Sequence, residues 1–251
     1  MIPFLELPPI PIGPFTVKPF GLLIAAGMVA GYFWLRRRVR QIGEDDARVP
    51  GMVFWMLLAG FDGALALRQL YIPDFVETLR TTPGDMFRKA GGIASFGGLL
   101  AGLAGGCLYL RRCGLGWTAV QRYLDALAFV FPRAWVFGRL GCALTHDHPG
   151  IRTGSWLGVR YPGGTRYDLG LIEVLFTLGY IGLLAVLDRR SRPAGFYLGL
   201  FLSVYGVFRL ALDRLHEDPV RYLGWTVDQY GSVTALAAGL AVLAAGARRR
   251  T

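Results

Sequence analysis

Charged residues are scarce in this chain. They make up 18% of its 251 residues, against about 25% in an ordinary soluble domain. Cysteine is scarcer, with Cys107, Cys113 and Cys142 alone, and their spacing fits neither a paired disulfide framework nor a metal-ligand motif. The first 17 residues hold no Lys or Arg. The basic segment that opens a cleavable signal peptide is therefore missing, and none is expected. No internal repeat or low-complexity linker breaks the chain. These shortages exclude a soluble globular enzyme, a disordered tail and a disulfide-stapled secreted module.

Apolar residues and glycine are abundant instead. Apolar residues reach 53% and the mean hydropathy is +0.42. Glycine occurs 35 times, roughly twice the usual share, as suits helices that approach closely in lipid. Seven apolar stretches have membrane-spanning length, at 19–35, 51–72, 91–110, 119–145, 169–187, 194–212 and 226–247. In lipid the backbone must satisfy its own polar groups, so each is expected to be a helix. The expectation is an all-α, polytopic membrane protein with seven transmembrane helices, forming a single integral membrane domain over 1–251. The connections after the odd-numbered stretches carry 14 Lys and Arg, and those on the other side carry nine, diluted by Asp and Glu. The positive side is the cytoplasmic one, which puts the N-terminus outside and the C-terminus inside. The net charge of +10 is thus a topology signal with anionic-lipid contact, and no nucleic-acid partner is expected.

Besides Arg122, which is counted with the connection at the start of the fourth stretch, four arginines remain inside the stretches: Arg68, Arg133, Arg139 and Arg209. A charge at the bilayer centre costs at least about 2.5–3.5 kcal/mol and marks a bundle interior or wet cavity. Arg68 stands near a span end, where it can snorkel. Arg133 follows Pro132, whose missing N–H frees a carbonyl that an arginine can satisfy. Asp125 and Arg139 share a helical face and line one buried stripe or serve function. Arg209 and Asp213 are one turn apart, either a structural ion pair or part of a site. Guanidinium forks match phosphate oxygens, so Arg139 and Arg209 are candidates for holding a phosphate. Lys18, the glycine-rich stretch 91–98, the segment 139–150, the segment 167–173 and the segment 209–216 all fall at the outer membrane level. That composition suits a lipid head-group cavity, although glycines such as Gly97 and Gly98 equally suit helix packing. His146-Asp147-His148 reads as a source of a general base or as a solvated loop. No metal and no cofactor are expected.

The segments around these residues resemble the bacterial prolipoprotein diacylglyceryl transferase family. Ile12-Gly13-Pro14-Phe15 through Phe20-Gly21-Leu22 is similar to the family's outer opening segment. The stretch 91–98 resembles its Gly-Gly-x-Ser-Phe-His-Gly-Gly, and the stretch 138–142 its Gly-Arg-Leu/Ile-Gly-Asn. The stretch 205–213 resembles its Tyr-Gly-x-x-Arg-x-x-x-Glu, and 167–173 stands where the family has His-Pro-x-Gln-Leu-Tyr-Glu. The resemblance implies seven membrane helices with the N-terminus outside. It implies transfer of a diacylglyceryl group from phosphatidylglycerol to the lipobox cysteine of a prolipoprotein signal peptide, by a monomer in the bacterial cytoplasmic (inner) membrane. It places Arg139 and Arg209 on the family's essential arginines, Asp147 and Asp213 on glutamates, Gly98 and Gly150 on glycines, and Glu173 on the end of the His-Pro motif. It also shows departures. Phe96 stands for a catalytic His, Phe20 for a Tyr, Lys18 for a His, Cys142 for the signature Asn, Ala64 for an Arg and Tyr167 for a His. The phosphate-holding half is kept and the proton-handling half is rewritten, so His146 or His148 is expected to supply a substitute base. Lys18, Phe20, Phe96, Gly97, Gly98, Cys142, Gly150 and Glu173 are the expected lipid- and substrate-binding set. Two other readings stay open. One is a lipid-dependent transferase for another acceptor or a catalytically weak lipid-binding paralogue. The other is a seven-helix transporter, channel or receptor.

Overall fold

A computed structural model describes residues 1–5, 7, 8, 10–12, 15–71, 75–81, 84, 94–217 and 220–248. Gly13 and Pro14 of the opening motif, Gly91, Gly92 and Ile93 of the glycine-rich stretch, and the charges Arg88, Lys89, Arg249 and Arg250 lie outside these residues. The helices are α1 (Pro19–Gln41), α2 (Val49–Arg68), α3 (Phe75–Thr81), α4 (Ser95–Arg112), α5 (Trp117–Thr145), α6 (Leu169–Leu187), α7 (Phe196–Asp213) and α8 (Val227–Arg248). Among the described residues six segments are long and apolar enough to cross a membrane: Pro19–Gln41, Asp46–Tyr71, Trp117–Thr145, Leu169–Leu187, Phe196–Asp213 and Val227–Arg248. The protein is a polytopic, mainly helical membrane protein. The third apolar stretch forms α4. Five of its 18 residues are glycine and it ends on Arg111-Arg112; it is helical but is not among those six segments.

The all-α expectation omits short strands. β1 (Ile10–Ile12) pairs antiparallel with β2 (Phe15–Val17). β3 (Pro149–Arg152), β4 (Val159–Tyr161) and β5 (Gly164–Asp168) form a sheet in the order β3-β5-β4. β6 (Arg221–Tyr222) pairs with β7 (Trp225–Thr226). Chain that leaves a helix must still satisfy its backbone groups, and the linker between α5 and α6 does so by pairing with itself. Pro162-Gly163 makes the tight turn between β4 and β5, and Gly164 follows at φ +119°, a conformation only glycine adopts freely.

The described residues form two compact units. The first comprises Met1–Arg38, Ala126–Pro193 and Ala211–Glu217. Within it α1 lies close against α5: a Cβ added at Gly27 would stand 2.7 Å from the Ala134 carbonyl oxygen, and one at Gly141 would stand 2.8 Å from the Phe20 ring. Pro132 sits inside α5. Arg133 donates to the Phe129 carbonyl, and its guanidinium stacks 4.2 Å over the Phe129 ring. Arg38 covers the same ring at 4.0 Å and pairs with Asp188. Arg133 is thus a structural arginine at a proline site. The chain start is tied down as well: Ile2 N–H donates to the Gly158 carbonyl at 2.9 Å and the Arg160 N–H to Ile2 at 3.1 Å.

The second unit comprises Val39–Asp125, Ala194–Leu210 and Asp218–Thr251. Here α2 and α4 meet through small residues. A Cβ on Gly97 would overlap the Gly63 carbonyl, and one on Gly98 would touch Gly60 and Ala64 at 3.4 Å. Asp125, buried inside an apolar helix, accepts from the Gly195 N–H at 2.6 Å and the Leu198 N–H at 2.8 Å. Its charge therefore sits on the free N–H groups at the start of α7, where the helix dipole favours an anion. Arg68 packs 5.5 Å from the Tyr71 ring.

Candidate active site

In the first unit the site grows from the end of α5. Arg139 forms an ion pair with Glu173 of α6, and both are buried. The guanidinium also lies 4.6 Å over the Trp135 ring, one turn back. Cys142 stands one turn further along the same helix, also buried. The helix then stops at Thr145, because His146 adopts the left-handed conformation at φ 53°. That reversal directs Asp147 and His148 to the last turn of the helix. One ligand-capable atom from each of Cys142, Asp147 and His148 lies within 4.8 Å of the others. The three could hold a metal ion.

His146 is occupied elsewhere. Its Nε2 accepts the Leu5 N–H at 3.2 Å, which places the proton on Nδ1, and Nδ1 donates to Asp168 at 2.6 Å. Its ring is stacked on Phe4 at 4.1 Å. With both nitrogens used, His146 positions the chain and is not placed as a free base, the role the sequence had left open to it. Asp168 is the centre of this arrangement. It is buried, caps α6 through the Leu171 N–H at 2.9 Å, and accepts from the Tyr161 hydroxyl at 2.8 Å. Burial, together with the Asp168 carboxylate, pushes the Tyr161 phenol up from its ordinary value, so it stays a donor. Burial among its neighbours, reinforced by the Arg139 charge, pulls the His148 imidazole below its ordinary range, although the residue keeps an exposed edge.

The other expected residues fall in two classes. Gly150 is fixed by packing: Ile151 donates to the Leu215 carbonyl at 2.9 Å, and a Cβ at Gly150 would stand 2.7 Å from that oxygen. Phe20 is half-buried against Gly141, Lys18 is exposed, and Asp213 is buried. In the second unit Arg209 is buried and pairs with Asp228 at 3.1 Å. Asp228 also accepts from the Tyr71 hydroxyl at 2.8 Å. The Phe96 ring is buried 5.7 Å from the Arg209 guanidinium, against Gly231, where a Cβ would stand 2.9 Å away. Gly97 and Gly98 serve helix packing here.

Sequence reasoning missed Asp168, Tyr161 and Tyr71. The signal for Asp168 was its place just before the apolar run of α6, the position of a helix cap. Tyr161 and Tyr71 carried none, since a tyrosine beside a span end is ordinary.

The model of the prolipoprotein diacylglyceryl transferase family matches residues 9–245. A phosphatidylglycerol–prolipoprotein diacylglyceryl transferase of Nitratidesulfovibrio vulgaris (strain DP4) is 31% identical over 100% of this chain and 99% of its own length. The protein of that name from Chromohalobacter salexigens is 29% identical over 96% and 93%. One from Leifsonia xyli subsp. xyli is 28% identical over 96% of this chain and 78% of its own length. Membrane helices that carry buried arginines, and a match over nearly the whole length, lead to one assignment: the chain belongs to the prolipoprotein diacylglyceryl transferase family.

Proposed function

We propose that the protein transfers the diacylglyceryl group of phosphatidylglycerol to the lipobox cysteine thiol of a prolipoprotein. The reaction forms a carbon–sulfur bond and breaks the carbon–oxygen bond to phosphate. Glycerol phosphate leaves with the electron pair. Charge therefore builds on the departing phosphate, and the thiol must give up its proton because the thiolate is the nucleophile. Arg139 and Arg209 serve the phosphate. Each is buried and already held by a carboxylate, Glu173 or Asp228. Each is thus oriented before the lipid arrives, and little reorganisation accompanies the reaction. Asp147 and His148, with Cys142 beside them, serve the thiol. Lys18, Phe20, Phe96 and Asp213 complete the lipid-binding set, and Gly98 and Gly150 support it through packing.

The observation that carries this reading is the buried Arg139–Glu173 pair, an arginine kept in an apolar helix where lipid alone disfavours it. The working protein is a single integral membrane domain over 1–251. It has seven spans counting α4, its N-terminus outside and its C-terminus cytoplasmic, and it acts as a monomer in the bacterial inner membrane. The direct test mixes purified protein, phosphatidylglycerol and a lipobox peptide, read by mass spectrometry. The expected product is the peptide bearing a diacylglyceryl thioether, with glycerol phosphate released. A peptide of unchanged mass would remove the proposal. One observation favours a different acceptor: Phe96 offers an apolar ring and no proton acceptor. Transfer to another thiol or hydroxyl compound, with none to the lipobox peptide, would decide for it.

A further inference from the structure

We propose that Cys142, Asp147 and His148 bind a zinc-class divalent cation whose open position takes the acceptor cysteine as a thiolate. The inference deepens the transfer reaction above and rests on it. That reaction needs a deprotonated thiol at neutral pH, whereas a free cysteine titrates near pH 8.5, by order of magnitude. His146, the neighbouring imidazole, has both nitrogens engaged, and Phe96 cannot accept a proton. A divalent metal deprotonates a coordinating thiol outright.

The donor set suits such an ion. Sulfur, imidazole nitrogen and carboxylate oxygen are the ligands of tetrahedral zinc, and three protein ligands leave the fourth position open, as in catalytic sites. Around a tetrahedral zinc a sulfur and a nitrogen ligand stand about 3.5 Å apart. The three ligand atoms here lie within 4.8 Å of one another. Side-chain rotation of the exposed Asp147 and His148 supplies the difference, while Cys142 is fixed on α5. Charge also balances. With Glu173 paired to Arg139, a Cys142 thiolate and Asp147 leave two negative charges, which a dication offsets. His216 adds a second observation. Its buried Nδ1 has no hydrogen-bond partner among the described residues.

In the step itself a metal-bound hydroxide takes the proton of the incoming thiol and leaves as water, and the sulfur occupies its position. The sulfur lone pair then attacks the diacylglyceryl carbon, the bond to the phosphate oxygen breaks with its pair staying on oxygen, and the thioether, a weak ligand, departs. Arg139, one turn from Cys142 on the same helix, stands beside the metal to receive the phosphate.

The test uses the full-length protein in detergent, stripped with a chelator and reloaded with Zn2+ alone or Co2+ alone. About one Zn2+ per chain is expected by elemental analysis. The Co2+ form should show a thiolate-to-cobalt charge-transfer band, which Cys142→Ser abolishes and a lipobox-cysteine peptide strengthens. Asp147→Asn and His148→Gln should weaken Zn2+ binding by more than the about 10–100-fold seen when only an outer-shell partner is lost, with the helical circular dichroism unchanged. Protein that holds no Zn2+ and shows no cobalt–thiolate band overturns the assignment. So does metal-free protein that transfers at the full rate, a result that leaves the transfer reaction standing. Metal-loaded protein whose band responds to the peptide, but which never modifies it, supports the ion's site and overturns the transfer reaction.

Discussion

At the scale of single residues, Arg139 and Glu173 are coupled by cost. Removing one partner of a buried ion pair leaves an uncompensated charge and destabilises by about 3–5 kcal/mol, whereas neutralising both is far milder. Arg139→Gln should therefore lower the thermal midpoint and abolish transfer. The double variant with Glu173→Gln should recover most of the stability and none of the activity. Thermal unfolding and peptide modification measured side by side check this, and a double variant that transfers near the wild-type rate would contradict the role given to Arg139. Two aspartates can be separated in the same way. Asp168→Ala removes a helix cap and strands the His146 and Tyr161 donors, so a loss of about 1–3 kcal/mol is expected. Asp147→Ala is exposed and should cost no more than about 0.5 kcal/mol, yet lower transfer at least tenfold by rough estimate, the factor that 1.4 kcal/mol of barrier represents. The reverse ordering in melting and rate would refute the assignment of the two. The arginines were legible because a guanidinium stands out in an apolar run. Asp168 was not, since it sits among the ordinary charges of a loop and gains its importance only when β4, β5 and the chain start converge on it.

At the scale of elements, apolar length alone reveals the helices, because a hydrocarbon layer leaves the backbone no other solution. The strands of the α5–α6 linker depend on pairing partners that sequence periodicity states only weakly. The third apolar stretch shows what glycine does to that logic. Its glycines lower the hydropathy of α4, and in return they let its backbone meet that of α2 at Gly63 and Gly60. The choice left open for Gly97 and Gly98, ligand approach or helix packing, is filled here by packing. Gly97→Ala should therefore cost about 1–3 kcal/mol through overpacking, measured as a lower thermal midpoint, while Gly84→Ala, with open space around its Cβ, should be neutral. Equal melting of the two variants would show that α2 and α4 are not close-packed. Asp125 carries the complementary lesson. It looked like a charge that lipid should reject, and it is the N-terminal anchor of α7, a partner more than a helix away that no local spacing announces.

At the scale of the whole molecule, function requires the thiol donor and the lipid head group to meet on one side of the membrane, so orientation is part of the mechanism. The basic residues clustered after α1, α4 and α6 predict that those ends face the cytoplasm, and the proposed orientation then puts the strands of the α5–α6 linker outside. This can be tested with single cysteines in a chain carrying Cys107→Ala and Cys113→Ala, whose remaining native thiol, Cys142, is buried. Gly163, at the tip of the β4–β5 turn, and Gly116, just before α5, both have open space where a side chain would go. Neither has a positive φ, so Gly163→Cys and Gly116→Cys should fold without strain. A membrane-impermeant maleimide added to intact cells should label the cysteine at position 163 and spare the one at 116, and permeabilised cells should be labelled at both. Labelling at 116 with protection at 163 would invert the topology. It would also place Arg139, Cys142 and His148 on the side of the membrane that a translocated signal peptide has already left, and so remove the physical basis of the proposed transfer.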